Sequence, residues 1–473
     1  MQLHYKSSPL CLHGRACTPG LPRFTARTAS TIHKSSSLLD WATGETQHGH
    51  AVAIEKLPSS AGRGLVATQD IPPNEKILSI PFDKVYSSKP EDELEFHWSV
   101  DMALRLLKDK QACHGVASSK DSKWCEWLAQ LPTHVLTPLE FTEDEVAALG
   151  DDGLAAEVRV MQQCVGASYE VLQEELQAMG CSYQDFLAAV QVLHSRCFFQ
   201  PETSCHMAVP GIDMANHSAT PNAQVAVQHS PHAVQGIAAI EEVCDPSTLQ
   251  RECEEQSQFQ LVAGHQGIRK GEEVTISYGS MWPDAAFLLL FGFLPEGDNP
   301  QNNCQLFLDV PDMVACYTSL QQQASLQLSE QNMLNKEVCE CVKSSWEDAE
   351  GCRGLFITKH GVDGRLPVAF QVIEDCFRCV ACQPSSSQGI KSKEASTSSS
   401  SSSSVGCIND AQVSLPALLQ HRAAQRLRAL DDLERSELQK AERTATSQGK
   451  AMARAFRRRQ MDVLQCFLKA AQS

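Results

Sequence analysis

The stretch Val209-Pro-Gly-Ile-Asp-Met-Ala-Asn-His-Ser218 decides how this chain is read. An apolar lead-in ends at Pro210, and Asp213, Asn216 and His217 follow at once. Asn and His side chains set beside a buried strand each demand hydrogen-bond partners. Taken alone, the cluster suits either a satisfied turn, since Asn and Asp commonly build turns, or a ligand site. A second segment bears on the choice: Ile268-Arg-Lys-Gly-Glu-Glu-Val-Thr-Ile-Ser-Tyr-Gly279. Val274 to Tyr278 reads as a strand ending in a tyrosine. The hydroxyl of Tyr278 is either structural, because a buried tyrosine needs some partner, or aimed into a site.

Working outward, the chain has 473 residues, too many for one core, so two domains or one domain with large appendages are expected. A hydrophobic share of 42% and a charged share of 21% fit a globular chain rather than a disordered one. The net charge of −17 argues against broad nucleic-acid binding, which needs a basic surface. The richest apolar window, Ala285 to Leu294, is too short to span a bilayer, so no membrane partner is expected. The 20 cysteines are scattered in no secreted-scaffold spacing and read as mostly reduced and intracellular.

Met1 to Leu39 carries no Asp or Glu, while Lys6, Arg15, Arg23, Arg27 and Lys34 supply positive charge. Hydroxyl residues crowd Thr25 to Ser37, and no apolar core for a secretory signal is present. Residues 1–45 therefore read as an organellar transit peptide, with a disordered tail as the alternative. The favoured address is the chloroplast, with mitochondrion or cytoplasm as alternatives. Folded sequence is expected from near Ala51.

Val52 to Leu57, Leu65 to Ala67 and Glu75 to Pro81 read as short strands with Gly and Pro punctuation. Gly62-Arg-Gly64 lacks the third glycine and the following helix of a dinucleotide loop, and suits a backbone lying close to a ligand or another strand. Residues 85–200 read as a helical insertion: Leu94, Trp98, Met102 and Leu106 recur at helical spacing, as do Val158, Met161, Val165, Tyr169 and Leu172. The aromatics of Trp124-Cys-Glu-Trp-Leu-Ala-Gln-Leu-Pro132 read as packing. Ser195-Arg-Cys-Phe198 closes the last helix, and Arg196 is either a surface charge or a donor for a carboxylate. Gln224 to Val227 and Phe259 to Ala263 read as strands around a polar loop, His229 to Glu255.

In order, Gly62-Arg-Gly-Leu-Val-Ala67, Trp127-Leu-Ala-Gln-Leu-Pro132, Ser195-Arg196, Asp213 to Ser218, Gly271 to Gly279 and Gly292-Phe293 resemble the SET-domain protein methyltransferases. The resemblance is to the branch of the Rubisco large-subunit lysine methyltransferase, and it covers roughly residues 50–300. It implies an α+β chain: a SET fold of small β-sheets with a pseudoknot and a helical insertion, then an all-α C-terminal substrate-binding domain over 301–473. It implies S-adenosyl-L-methionine as cofactor and a lysine-bearing protein substrate, the Rubisco large subunit or another stromal enzyme, with the chain acting as a monomer. Carried over by position, backbone at Ala61, Gly62 and Arg63 would flank the cofactor, and Asn216 and His217 would bind it. Arg196 would meet the cofactor's carboxylate or the substrate, Asp213 and Phe291 would lie beside the target, and Tyr278 would be the catalytic tyrosine.

Two departures bear on specificity. Phe291 stands where the plant enzyme it resembles has a second tyrosine, and no tyrosine is evident near Gln228. The acceptor is thereby open between lysine and histidine, and a non-catalytic binding module remains the alternative to an enzyme. With no Cys-rich zinc module after Tyr278, a non-histone substrate is expected. A cysteine hydrolase pairing Cys197 with His217 has no supporting signature.

Farther on, Met313 to Cys341 and Leu415 to Ala471 read as helical, and the serine-rich stretch 384–406 as a solvated loop. Arg457-Arg-Arg459 reads as a solvated helix face. Cys376-Phe-Arg-Cys-Val-Ala-Cys382 has knuckle-like gaps but no His-rich complement, so no metal is expected.

Overall fold

A computed structural model of the chain describes residues 36–44, 50–57, 62–90, 94–114, 123–201, 203–228, 258–324, 354–381, 413–441 and 446–472. Ala61, the loop at 229–255 and the serine-rich stretch 384–406 lie outside them. Packing divides the described residues into two units. One takes residues up to Glu140 with Met161–Trp282 and Ala286–Asn299, the other Phe141–Val160, Pro283–Ala285 and Pro300 onward.

The first unit is built on three small sheets. Strands β1 (Val52–Lys56) and β2 (Arg63–Ala67) pair antiparallel, with Val52 opposite Ala67 and Lys56 opposite Arg63. Alternation turns Val52, Ile54, Leu65 and Ala67 into the core and puts Glu55 on the other face. The second sheet joins β3 (Lys76–Pro81) to β8 (Ala223–Gln228) through β9 (Gln258–Ala263). The third sets β4 (Tyr86–Ser87) and β5 (Cys197–Gln200) on either side of β6 (Cys205–Ala208).

The opening stretch completes the first sheet. Gly211, at φ +89°, adopts a backbone conformation that side chains rarely tolerate, and a Cβ there would lie 3.3 Å from Leu39. The chain turns at that point through a 3-10 turn, Ile212–Met214, and enters β7 (Asn216–His217). Strand β7 runs parallel to β10 (Glu273–Ile276), whose other edge pairs with β2. Three segments distant in sequence thus meet in one sheet.

Helices cover the sheets. Within the span 85–200 the described residues are mainly helical, with β4 and β5 near its two ends. Helix α2 (Trp98–His114) packs on α6 (Tyr183–His194), with Met102, Leu106, Phe186 and Val190 buried at helical spacing. Ser182 and Asp185 form a capping box at the start of α6. Between them in sequence come the short α3 (Cys125–Leu128) and α4 (Glu143–Ala147), and α5 (Asp152–Ala178). Helix α7 (Asp284–Phe291) follows β10.

Three expectations are corrected here. Folding was expected from near Ala51, but α1 (Ser36–Thr43) places Leu38, Leu39 and Ala42 in the core of the first unit, so part of the span assigned to a leader is packed. Cys197 and Phe198 do not close a helix but begin β5, because α6 stops at its C-cap, Ser195. Among the described cysteines one pair, Cys113 and Cys125, forms a disulfide, and eight others, Cys164, Cys181 and Cys197 among them, keep their thiols. The second unit is helical but not all-α.

That second unit carries α8 (Val310–Ala324), α9 (Arg365–Ala381), α10 (Leu415–Ala441) and α11 (Gln448–Ala470). Beside them β11 (Asn303–Phe307) pairs antiparallel with β12 (Leu355–Thr358). Leu306, Phe307, Leu355 and Ile357 add this ribbon to the same core as Leu418 and Val463, which is why the pair is stable where a lone hairpin is not. Cys376 of the cysteine knuckle is buried in that core.

The arginine run is not a uniformly solvated face: Arg458 stays exposed, but Arg457 turns inward. Arg457 is 1% exposed, pairs with Glu434 and donates to the carbonyl of Ala148. Glu434 also meets Arg454 at 2.7 Å and Arg458 at 3.1 Å, and Arg459 lies 3.8 Å from the buried Asp284. Deleting Glu434 would leave a buried cation uncompensated, a loss of about 3–5 kcal/mol. No helix of the described residues is long and apolar enough to cross a membrane.

Candidate active site

The parallel pairing of β7 with β10 brings the two sequence segments together. Asn216 stands opposite Thr275 and His217 opposite Ile276, which carries Tyr278 just beyond the strand end. From there the Tyr278 hydroxyl donates to the carbonyl of Ala215 at 3.0 Å, and the Tyr278 amide donates to His217 Nδ1 at 3.2 Å. With Nδ1 an acceptor, the neutral imidazole holds its proton at Nε2. Burial lowers the His217 pKa, which favours that neutral form.

A pocket opens beside Tyr278, lined by Ser195, Arg196, Cys197, Phe198, Asp213, Ala215, Tyr278 and Phe291. Four residues expected at a site from sequence, Arg196, Asp213, Tyr278 and Phe291, therefore share one cavity. The Phe291 ring lies 4.8 Å from that of Tyr278, and Phe287 and Phe293 extend the apolar wall. Burial pushes the Tyr278 hydroxyl up to about 12, with Arg196 opposing and Asp213 and Glu273 reinforcing the shift. At neutral pH it is a proton donor and not a phenolate base.

Asp213 is buried and accepts from three directions. The Gly211 amide reaches Oδ1 at 2.9 Å, the indole Nε1 of Trp127 reaches Oδ2 at 2.9 Å, and Arg196 Nη1 stands 3.4 Å from Oδ2. Burial raises its pKa, and Arg196 and the two hydrogen bonds oppose that rise. Arg196 Nη1 also donates to the Asp213 carbonyl at 2.7 Å, while its Nε is buried with no partner among the described residues. An unpaired buried guanidinium donor on a pocket wall is a place for an acceptor group of a ligand.

Gly62, Arg63, Asn216 and His217 do not line this pocket but adjoin it. Gly62, at φ +80°, leads into β2, whose Gly64 comes so close to Asn216 that a Cβ would lie 2.7 Å from Asn216 Nδ2. That amide nitrogen donates to the Arg63 carbonyl at 3.2 Å and to Glu273 Oε1 at 2.7 Å. The Arg63 side chain turns to Gln130, donating to Oε1 at 2.8 Å and to its carbonyl.

Sequence reasoning took Trp127 for packing and passed over Gln130, Glu273 and the Ala215 carbonyl. For Trp127 a signal existed: an indole N–H in a core needs an acceptor. The pairing of Cys197 with His217 is excluded by chemistry. Burial pushes the Cys197 thiol far up, so it is no thiolate, and His217 Nδ1 is engaged by the Tyr278 amide. Among the described residues no cluster of His, Cys, Asp and Glu could hold a metal ion.

A family profile for the SET domain matches residues 62–279, which enclose this constellation. A SET domain-containing protein 8 of Schizosaccharomyces pombe is 25% identical over 284 residues, covering 54% of this chain and 57% of that protein. The chloroplastic Rubisco large subunit N-methyltransferase of Nicotiana tabacum is 24% identical over 242 residues, covering 48% of this chain and 46% of that protein. The chain thus spans about half the length of these curated relatives. A crystal structure of the SET domain of LSMT, bound to lysine and AdoHcy, aligns over 93% of this chain and 90% of its own with a TM-score of 0.56 at 17% identity, a likeness of fold.

Proposed function

We propose that this chain, which carries a SET domain, is an S-adenosyl-L-methionine-dependent protein-lysine N-methyltransferase acting on a non-histone, plastid protein. The observation that carries the reading is the Tyr278 hydroxyl, held by the Ala215 carbonyl in a pocket shared with Arg196, Asp213 and Phe291.

The residues present fit the cofactor. The unpaired Nε of Arg196 suits a carboxylate, and the cradle that Gly64 leaves beside Asn216 suits a close backbone approach. Arg63, Asn216, His217 and Arg196 would hold it, with Ala61 and Gly62 at its flank. When bound, the cofactor supplies a methyl group on a sulfonium, ready for in-line displacement.

The chain's own residues do the rest by positioning. A lysine ammonium, of ordinary pKa near ~10.4, must arrive neutral, and the cationic Arg196 together with the apolar wall of Phe198 and Phe291 favours the neutral amine. Tyr278 and the Ala215 carbonyl then orient the amine, and Phe287, Phe291 and Phe293 exclude water. The helical second unit would serve substrate binding, and residues preceding the packed helix at Ser36–Thr43 would carry the plastid address. Phe291 leaves the pocket without a hydroxyl at that position, which is the observation favouring histidine as the alternative acceptor.

The test is incubation of the full chain with labelled S-adenosyl-L-methionine and plastid extract, with modified peptides located by mass spectrometry. Label on lysine is expected. Label on histidine would move the activity to that acceptor, and failure to bind the cofactor in calorimetry would leave a binding module.

A further inference from the structure

Asp213 is a wall of the pocket whose partners come in part from outside it. Its side chain has no contact with water, so every lone pair must be met by the protein. Oδ1 is met by the Gly211 amide within its own turn. At Oδ2 the Trp127 indole, at 2.9 Å, is nearer than Arg196 Nη1, at 3.4 Å. The Arg196 nitrogen is instead shared with the Asp213 carbonyl at 2.7 Å and the Met214 sulfur at 3.6 Å.

The indole is held firmly. Trp127 is fully buried, with its ring 5.0 Å from Tyr86 and 6.4 Å from Trp124. Three residues farther on, Gln130 receives Arg63, so one short segment reaches two residues of the site. The groups facing Asp213 are the cations Arg196 and Arg63 and the neutral Cys197 and Tyr278. Without the indole N–H, Oδ2 would either take a proton or draw Arg196 off the Asp213 carbonyl. Each outcome alters the pocket beside Tyr278.

We propose that Trp127 is a positioning residue whose indole N–H favours the charged form of Asp213 and orients its carboxyl group against Arg196. The effect on methyl transfer rests on the function proposed above, but the effect on Asp213 does not. The hydrogen bond favours the charged carboxylate, so its loss raises the Asp213 pKa further. A buried carboxyl whose folded pKa lies above its unfolded value contributes stability that is lost as pH rises through the folded value. Trp127→Phe should therefore lower the melting temperature more at pH 8 than at pH 5.

The experiment is a cycle of Trp127→Phe, Asp213→Asn and the double variant, melted at both pH values. The extra loss at pH 8 is expected while Asp213 is present and should vanish in the Asp213→Asn background. Equal losses at both pH values in both backgrounds would overturn the proposal and leave Trp127 as packing. If Trp127→Phe fails to fold, benzothienylalanine at position 127 keeps the ring shape, removes only the N–H and gives the same two outcomes. In a methyl-transfer assay, kcat/KM should fall about tenfold to a hundredfold while cofactor binding persists. Wild-type protein that methylates nothing would defeat the functional reading and leave the stability cycle to decide on Trp127.

Discussion

The amide of Tyr278 donates to Nδ1 of His217 at 3.2 Å, so the residue expected to hold a cofactor also fixes the backbone that presents the tyrosine. Protonation of Nδ1 would break that bond. Burial keeps the folded pKa of His217 below its ordinary value, so its contribution to stability is present above about pH 6.5 and lost as pH falls. His217→Ala should cost at least about 1 kcal/mol for the lost hydrogen bond, plus its packing on the Phe287 ring at 4.6 Å. His217→Asn, which offers an amide oxygen near the same place, should recover part of that loss. Urea melts of both variants, with cofactor titrations in parallel, check this. Wild-type behaviour of His217→Ala in both would refute it.

A second acid-sensitive feature lies around Trp98. His206 stacks on its ring at 3.9 Å, and His194 lies 5.3 Å from that ring and 6.0 Å from the ring of His97. Burial lowers His97 to about 4 and His194 and His206 to about 3. Neither ring nitrogen of His194 has a partner among the described residues. Each histidine kept neutral costs about 1.4 kcal/mol per pH unit below about 6.5. Stability should thus fall steeply from pH 6.5 towards pH 4.5. His194→Leu removes one such group and no hydrogen bond, so melts of this variant should show a shallower acid slope. An unchanged slope would mean that His194 is already charged.

What the sequence made legible follows from where the information sits. Asp213, Asn216, His217 and Tyr278 lie in two short segments, and a single parallel strand pairing suffices to join them. Trp127 is bonded to Asp213 across a separation of 86 residues, and no local periodicity carries such a pairing. The Ala215 carbonyl is a backbone group and leaves no mark on composition. Arg457 looked solvated because a charge run usually is, yet Glu434 on the neighbouring helix makes its burial tolerable. Leu38 and Leu39 were read with a leader because its cationic, hydroxyl-rich composition runs up to them without a break.

The disulfide between Cys113 and Cys125 ties the end of α2 to the first residue of α3, the helix that carries Trp127. Its sequence separation of 12 implies a stabilisation of about 3 kcal/mol through restriction of the unfolded chain. The Cys113→Ser/Cys125→Ser variant should melt lower by a corresponding amount, and wild type treated with a phosphine reductant should match it. Mass spectrometry of alkylated peptides confirms the bond's state in each sample. Identical melting with and without reductant, with the bond verified in the untreated sample, would show that α3 is held by packing alone.

Gly64 separates the folding and binding roles of the first sheet. A Cβ at this position would stand 2.7 Å from Asn216 Nδ2, 2.8 Å from Leu57 Cδ1 and 2.9 Å from Glu273 Oε1. All three are side-chain atoms, so Gly64→Ala can be accommodated by movement, at about 1–3 kcal/mol for overpacking. The atom displaced matters more than the cost, because Asn216 Nδ2 bridges the Arg63 carbonyl and Glu273. Gly64→Ala should therefore fold and still bind S-adenosyl-L-methionine about tenfold more weakly, as Asn216→Ala should, the loss of about one hydrogen bond. The two changes act on one contact, so the double variant should bind no more weakly than either single one. Calorimetric titration of the three variants measures this, and additive losses would mean that Gly64 and Asn216 meet the cofactor independently.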